Sequence, residues 1–403
     1  MAEQKIVKVE GAVLWGERPR AAGSNSHMQP LGGRVRVPVV RVTLDDGSTG
    51  WGLSRVEEAT AQSLVGASLA DAYDPAAGVP VKYRPLEFPI WDLVARRAGK
   101  PVYELAAGIL GRTPPAETRV RCYDTTLYID DLLITNHDEG AALMAEEAMQ
   151  GYRRGHRSFK IKIGRNNVHF PTDVGLQRDI AVVNAIRKAV GPECNVMADA
   201  NNGYTFNISR DFLRGTADSN VYWLEEAFYE DAALYRRLRA WMRAEGLKTM
   251  IGDGEGRGMT DPNLPDLLAG DGFHATVGSL APHDLLLDMV REGIVDVLQW
   301  DILSPGLTRW LEIAPSIEAW GRICSPHHYG TMLGNYHLAH LGLSVPNFGF
   351  VEWDHATTPG IDTSGYSIAE GIVSVPATPG FGLQLDEEAY ARAVKDGGFT
   401  ATA

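Results

Sequence analysis

From Arg119 onward the sequence alternates short apolar segments with longer amphipathic ones, and this alternation restricts the fold more than any other feature. Eight of the segments have the length and composition of buried strands: Val120–Asp124, Ser158–Ile163, Asn195–Asp199, Tyr222–Glu225, Met250–Glu255, Val295–Asp301, Arg322–His327 and Phe348–Glu352. Helical periodicity separates them, most clearly over Asp179–Val190. Eight strands joined by helices predict a (β/α)8 TIM-type barrel, which places its chemistry at the C-terminal strand ends.

The residues before the barrel have a different pattern. Residues 1 to about 60 predict antiparallel strands with a turn at Asp45–Gly50, and residues 57–111 predict helices. The polar stretch Arg18–Arg34 is too long for a simple connection. We therefore interpret it as either a mobile loop or a functional lid.

Composition and charge exclude several classes of partner. The formal net charge of −13 over 403 residues argues against nucleic acid or an anionic membrane surface. The chain has no apolar run long enough for a membrane span, and its first residues lack the apolar segment of a secretory signal. Three widely spaced cysteines fit a reduced compartment. We predict a cytoplasmic protein that binds neither nucleic acid nor membrane.

Ionisable side chains lie at or near the ends of seven consecutive predicted strands, the second to the eighth. Lys160 and Lys162 share one face of the second strand because strand side chains alternate. The later strands end in Asp199, Glu225–Glu226, Asp253 with Glu255, Asp301, His327–His328 and Glu352. Carboxylates on adjacent strands would repel one another unless a divalent cation neutralised them, and oxygen ligands suit Mg²⁺. If the lysine face is enclosed, crowding of two cations is expected to lower the pKa of a lysine.

These motifs together resemble the enolase superfamily, and specifically its mandelate racemase subgroup. The resemblance rests on Lys160-Ile-Lys162, on Asp199-Ala-Asn201 and on Glu225-Glu226, and it extends to the helix around Trp91 and to the tail Pro379–Asp386. It implies an α+β capping domain over residues 1–118, with a lid loop at about 18–34, and a barrel over residues 119–355. Residues 356–403 are then expected to return to the capping domain.

The resemblance also implies roles for individual residues. Asp199, Glu225 and Glu255 are expected to bind one Mg²⁺, with Mn²⁺ as an expected substitute, and Asp253 competes with Glu255 as third ligand. The expected catalytic set is Lys162 and His327 as acid/base groups on opposite faces of the substrate, Asp301 as the partner that orients His327, Lys160 at the substrate carboxylate, and Glu352 as a proton donor to that carboxylate. Asn201, Lys160, His27 and Arg20 are expected to bind substrate.

The function implied is abstraction of the proton alpha to a carboxylate, with Mg²⁺ stabilising the ene-diolate. Our first choice is dehydration of an acid sugar, an aldonate or aldarate, to a 2-keto-3-deoxy acid in carbohydrate acid catabolism. The alternatives are a racemase or epimerase of a 2-hydroxy acid and, less favoured, a non-catalytic barrel protein. The polar lid favours a hydroxylated substrate.

Several points are not decided by the sequence. The abstracting base is either Lys162 or His327, and the sugar and its stereochemistry are not specified. The interval between Glu255 and Asp301 is longer than one βα unit and indicates an insertion, in which His274 or His283 would reach the site or lie free at the surface. A small anionic substrate and a homo-oligomer, from dimer to octamer, are the expected partners.

Overall fold

The computed structural model describes residues 4–255, 281–303 and 306–403, with the side chains of residues 281–285 excepted. Most of the insertion predicted after Glu255, including His274 and the side chain of His283, lies outside these ranges. None of the helices in the described ranges combines the length and the apolar composition that a bilayer-spanning segment needs.

The described strands, β1 to β16 in chain order, are Ile6–Ala22, Gly32–Leu44, Thr49–Leu53, Arg119–Leu127, Ser158–Lys162, Asn195–Asp199, Trp223–Glu225, Met250–Asp253, Val297–Leu298, Ile323–Cys324, Val351–Trp353, Ile361–Asp362, Ser367–Ala369, Ile372–Ser374, Gln384–Leu385 and Phe399–Thr402. The described α-helices, α1 to α12, are Glu58–Leu64, Leu69–Ala72, Glu87–Ala98, Val102–Ile109, His137–Arg153, Thr172–Val190, Phe206–Gly215, Ala232–Ala244, Ala281–Arg291, Gly306–Ala319, Leu333–Ser344 and Glu387–Gly397. Two 3₁₀ helices cover Val81–Leu86 and Ala217–Ser219.

Strands β4 to β11 form the predicted barrel. β4 to β10 are parallel neighbours in chain order, and β11 pairs in parallel with β4. A parallel bridge between Cys324 and Phe348 joins the last two strands and completes the ring. The described helices between them are α5 to α11. The (β/α)8 prediction is confirmed, and each of the eight predicted strand segments overlaps one barrel strand.

The N-terminal region and the end of the chain build an α+β cap, whereas β13 and β14 extend the barrel sheet, with β14 antiparallel to β4. Strands β1, β2 and β3 form an antiparallel sheet, and β16 at the end of the chain pairs with β1. The side chain of Trp91 in α3 is buried and donates through its indole N–H to Thr308 of α10, at 3.2 Å. The cap is therefore fixed to the barrel and contains residues from both ends of the chain, as expected. The exact boundaries at residues 118 and 355 stay predictions.

The predicted lid is shorter than expected, because strands occupy both of its ends. β1 continues to Ala22 and β2 begins at Gly32, so only residues 23–31 connect them. This connection packs on the barrel: the hydroxyl of Ser26 donates to the carbonyl of Asn201 at 3.0 Å. Ser24 and Ile129 also exchange backbone hydrogen bonds of 3.2 and 2.8 Å. The segment thus lies over the C-terminal strand ends.

Candidate active site

Strand β5 places two lysines inside the barrel. Phe159 and Ile161 alternate with Lys160 and Lys162, so the apolar side chains and the ammonium groups point to opposite faces. Both lysines are buried, at 1% and 4% exposure. Lys160 donates to Glu225 at 2.8 Å and lies 2.9 Å from Glu352. Lys162 donates to Asp199 at 2.5 Å. The face of β5 that carries the two lysines is therefore enclosed within the barrel.

The pKa of Lys162 differs from the expectation of a lowered value. Burial and the charge of Lys160 do disfavour the ammonium form, with burial the larger effect. The negative charges of Asp199, Glu255 and Glu225 outweigh them, so the pKa of Lys162 lies above its ordinary value. The prediction considered the cation pair and left out the carboxylates on the neighbouring strands.

Three strand-end carboxylates converge beside the lysines. Asp199 and Glu225 end β6 and β7, and Glu255 follows β8 by two residues. Each offers an oxygen within 4.8 Å of the other two. Burial raises the pKa of Glu225 to about 7. Burial also acts to raise the pKa of Asp199, but Lys162 and Lys160 bring it below its ordinary value. Three carboxylates that converge in this way repel one another, and a hard divalent cation would neutralise them.

Asp253 does not belong to this group of carboxylates. Its side chain is buried, and burial together with the charge of Glu230 holds its pKa well above the ordinary value. Burial thus disfavours the ionised form of Asp253, which is the form that metal binding requires. Of the two residues considered for the third position, the geometry favours Glu255.

His327 lies between carboxylates on the other side of the site. Its Nδ1 is 2.9 Å from Asp301, and its Nε2 is 3.4 Å from Glu255 and 3.9 Å from Glu352. Burial works to lower the pKa of His327, but these three carboxylates raise it to about 9. The structure thus brings His327 and Asp301 together as expected. The neighbouring His328 instead turns its Nε2 to Asn335, at 2.7 Å.

Glu352 has surroundings that do not favour the proton-donor role expected of it. One carboxylate oxygen faces Lys160 at 2.9 Å and the hydroxyl of Thr125 at 2.6 Å, and the other accepts from the backbone N–H of His328 at 2.5 Å. Burial would raise the pKa of Glu352, yet Lys160 and the two histidines hold it far below its usual range. In this arrangement Glu352 is an ionised acceptor that positions Lys160.

Sequence reasoning missed Gln299 and Trp223, which support the site, and it missed the backbone conformation of Asn201 and Glu226. Gln299, in the segment after β9, donates to the second oxygen of Glu225 at 2.6 Å, and the indole N–H of Trp223 donates to the same oxygen at 3.0 Å. Glu226 and Asn201 both have left-handed backbone, with φ of 43° and 41°, and the amide of Asn201 donates to Glu226 at 3.2 Å. Non-glycine residues in this conformation cluster at functional sites. The doubled glutamate was the only available signal for Glu226.

A cavity of about 310 Å³ opens over these groups. The barrel contributes Lys162, Asn201, Glu255 and His327 to its wall, along with Tyr128, Asn202, Glu226, Tyr329 and Gly330. The first two strands and their connection contribute Arg18, Asn25, His27, Met28, Leu31, Arg34, Val35 and Arg36. His27 and Asn201 therefore have the placement expected of substrate-binding residues.

Arg20 has a different placement from the one expected. It is absent from the described residues that line the cavity. Its guanidinium group lies between Asp130 and Glu147, the latter at 2.9 Å, and donates to the carbonyl of Thr126 at 2.9 Å. Arg18, two residues earlier, does line the cavity and pairs with Asp354 at 3.0 Å. Regular alternation would put both arginines on one face, but the pairing of β1 with β2 is irregular between Glu17 and Ala22. Arg18 is the better candidate for contact with substrate.

Comparison with known proteins agrees with this geometry. A family model described as Enolase C-terminal domain-like matches residues 143–255 and 279–389. A galacturonate dehydratase from Geobacillus sp., solved with D-galacturonate and 5-keto-4-deoxy-D-galacturonate, is 40% identical over 100% of both chains, with a TM-score of 0.88. A mandelate racemase/muconate lactonizing protein from Geobacillus sp. Y412MC10, solved with magnesium and tartrate, is 40% identical over 100% of this chain and 98% of the other, with a TM-score of 0.90. An arabinonate dehydratase from Saccharolobus solfataricus is 23% identical over 75% of this chain and 69% of its own length.

Proposed function

Because the chain belongs to the enolase superfamily, in its mandelate racemase subgroup, we propose that it is a Mg²⁺-dependent acid-sugar dehydratase. The observation that carries the proposal is the convergence of Asp199, Glu225 and Glu255 between the lysine pair and His327. The solved relatives of 40% identity include a galacturonate dehydratase, which supports the same class of reaction here.

Asp199, Glu225 and Glu255 would hold the metal, and Mn²⁺ is expected to substitute for Mg²⁺. When bound, the cation supplies positive charge that stabilises the ene-diolate form of the substrate carboxylate. The residues around Glu225 fit this role. Lys160, Trp223 and Gln299 hydrogen-bond its two oxygens and so fix the carboxylate in position.

Lys162 and His327 carry the proton transfers in this proposal. Both line the cavity, and they come from the second and seventh barrel strands. One removes the proton alpha to the carboxylate, and the other, in its charged form, protonates the β-hydroxyl as it leaves. Lys160 adds positive charge at the substrate carboxylate, held in place by Glu225 and Glu352. Asp301 fixes the orientation of the His327 ring.

The substrate class that we propose is a uronate of the galacturonate type. Dehydration of an aldonate or aldarate, our first expectation, would give a 2-keto-3-deoxy product. In a uronate the carboxylate is at C6, so the same chemistry acts at the other end of the sugar. The proton leaves C5, which is alpha to the C6 carboxylate, and the C4 hydroxyl leaves as water. The resulting enol tautomerises to a 5-keto-4-deoxy product, the type of compound named in the structure of the Geobacillus dehydratase.

Polar groups of the cap support a hydroxylated substrate. Asn25 and His27 line the cavity from the connection between β1 and β2, and Arg18, Arg34 and Arg36 line it from the strands themselves. These groups offer both donors and acceptors to sugar hydroxyls. The guanidinium groups also offset the local negative charge that an anionic substrate would otherwise meet in a chain of net charge −13.

The direct test is to incubate the purified protein and Mg²⁺ with D-galacturonate, and in parallel with a panel of aldonates and aldarates. NMR spectra recorded in ²H₂O would follow both water loss and exchange at the alpha carbon. We expect a 5-keto-4-deoxy product from the uronate. Exchange with a change of configuration and no water loss on any member of the panel would instead support the racemase or epimerase alternative. Absence of both exchange and elimination across the panel would contradict the proposal.

The predictions of a homo-oligomer and of a cytoplasmic location are retained as parts of this proposal. Equilibrium sedimentation of the purified chain would test the first, and fractionation of the source cells would test the second.

A further inference from the structure

A second group of metal-ligating side chains lies outside the barrel. Asp124 is on β4, His156 precedes β5, and His355 follows β11. Tyr123, one residue before Asp124, packs inside the barrel against Trp223, with ring centroids 5.7 Å apart. Asp124 therefore points the opposite way, toward α5, where its Oδ2 lies close to Gly151. The group is thus located where the first, second and last barrel strands meet.

The three side chains direct their ligand atoms at one point. One ligand atom from each of Asp124, His156 and His355 lies within 4.8 Å of the other two. The Nε2 atoms of the two histidines are 2.8 Å apart, and Nε2 of His355 is 3.9 Å from Oδ2 of Asp124. Asp124 and His156 are fully buried, whereas the side chain of His355 is 13% exposed.

The carboxylate of Asp124 has one oxygen free for a ligand. Its Oδ1 accepts from the backbone N–H of Thr126 at 2.9 Å and from the Thr126 hydroxyl at 2.6 Å. Its Oδ2 is buried and has no hydrogen-bond partner among the described residues. A buried carboxylate oxygen without a donor is costly, and a cation at this point would satisfy it.

The two histidines face each other through the nitrogens that a metal would bind. Their Nε2 atoms are 2.8 Å apart, and the two ring planes are nearly perpendicular, at 89°. Because the two Nε2 atoms face each other, at most one proton lies between them. When each ring carries its proton on Nδ1 instead, both Nε2 lone pairs are free and the two imidazoles form a ligand pair.

We propose that Asp124, His156 and His355 form a second metal site, separate from the strand-end carboxylates, that binds Zn²⁺. Two imidazoles and one carboxylate are a ligand set typical of zinc, whereas the all-carboxylate group at the strand ends suits Mg²⁺. With Zn–N distances of about 2.0–2.1 Å and tetrahedral angles, the two Nε2 atoms would separate to roughly 3.3 Å. Oδ2 of Asp124 would move closer to Nε2 of His355 by a similar amount. A water molecule would take the fourth position, on the side of the partly exposed His355.

Cys122 acts on this site through His156. Its Sγ lies 3.8 Å from Nδ1 of His156, the nitrogen that faces away from the proposed ion. In the tautomer with the proton on Nδ1, an N–H···S contact to Cys122 leaves Nε2 free to coordinate. Zinc would then join β4 to the turn before β5 and to the segment after β11. Its expected effect is to stabilise the closed barrel.

Zinc content measured by mass spectrometry tests the proposal in the full-length chain. After chelator treatment, the wild-type protein would be equilibrated with Zn²⁺ alone and then separated from free metal. Because carboxylates also bind zinc, we expect two ions per chain in the wild type. We expect one ion in His355→Ala, one in Asp124→Asn, one in Glu255→Gln and none in the double variant His355→Ala/Glu255→Gln. His355 is the preferred position because it is the least buried of the three ligands.

His137→Ala is the matched control, since His137 is also half-buried and belongs to neither group. It should retain both ions, and circular dichroism should show that every variant is folded. Thermal unfolding gives a second readout: Zn²⁺ should raise Tm in Glu255→Gln but not in the double variant. Equal zinc content in the wild type and in His355→Ala would overturn the proposal. Loss of zinc in Glu255→Gln alone would also overturn the proposal. That result would still support the metal site at the strand ends.

Discussion

Nδ1 of His327 lies 2.9 Å from Oδ2 of Asp301, on the side of the ring away from Glu255. This contact fixes which nitrogen of the imidazole faces the cavity, because Nδ1 carries the proton that is donated to Asp301. It also adds to the charges that raise the pKa of His327 to about 9, against the opposing effect of burial. A histidine in this environment is suited to act as an acid.

Replacing Asp301 with asparagine should lower kcat/KM by about 10- to 100-fold, the usual cost of losing a carboxylate behind a functional histidine. An acid must be protonated to act, so activity falls as the pH rises above its pKa. Since Asp301 raises the pKa of His327, Asp301→Asn should also move the alkaline limb of the kcat/KM profile to lower pH. A variant with reduced activity and an unmoved alkaline limb would show that Asp301 has only a structural role.

The identity of the third metal ligand gives a second prediction. Glu255→Gln should abolish activity and lower the Mg²⁺ affinity measured by calorimetry, because its oxygen lies with those of Asp199 and Glu225. Asp199→Asn and Glu225→Gln should have the same effect. Asp253→Asn should retain the affinity, since Asp253 is outside this group and burial disfavours the ionised form of its carboxyl group. The assignment of this strand would be wrong if Asp253→Asn lost metal binding and Glu255→Gln kept it.

The parts of the site that sequence reasoning predicted are those that strand periodicity determines. In a parallel barrel all strands end at one rim, so ionisable residues at the ends of the predicted strands must come together. Asp199, Glu225 and Glu255 meet for this reason. Alternation along β5 likewise placed Lys160 and Lys162 on one face.

The missed features depend on contacts between segments distant in the sequence. Gln299 supports Glu225 across two strands, and nothing in the pattern around Gln299 indicates that partner. The direction of the Lys162 pKa depends on Asp199, which only the folded barrel brings to 2.5 Å. Arg20 was assigned to the cavity because the whole segment was interpreted as a loop, whereas Arg20 lies in β1 and pairs with Asp130 and Glu147, partners that the sequence pattern does not indicate.

A third prediction compares His27 with Arg20. His27→Ala should raise KM several-fold, equivalent to about 1 kcal/mol for a lost hydrogen bond, with little change in Mg²⁺ affinity. Arg20→Ala should leave KM unchanged and lower the free energy of unfolding by about 2 kcal/mol. The loss is expected because Asp130 and Glu147 would lose their cation, and it is smaller than for a fully buried pair because the guanidinium group is 22% exposed. Steady-state kinetics and urea unfolding of both variants test the contrast, which a raised KM in Arg20→Ala would contradict.

The last prediction concerns which group removes the alpha proton. The carboxylates that raise the pKa of Lys162, namely Asp199, Glu255 and Glu225, are the same three that would hold the metal. A dication among them opposes their effect, because its charge offsets theirs. Lys160 and burial then act to lower the pKa of Lys162 without that opposition. His327 keeps its Asp301 partner in either case. We therefore expect Lys162 to be the base and His327 the acid.

Exchange and elimination measured together in ²H₂O separate the two groups. Lys162→Ala should lose both exchange at the alpha carbon and dehydration, because no ene-diolate forms. His327→Asn should keep exchange while dehydration falls, since the ene-diolate forms but the leaving hydroxyl lacks an acid. Asparagine keeps an amide that is able to hydrogen-bond Asp301, which limits the structural change. Exchange that is retained in Lys162→Ala and lost in His327→Asn would reverse the assignment and make His327 the base, as a substrate of opposite configuration at the alpha carbon would require.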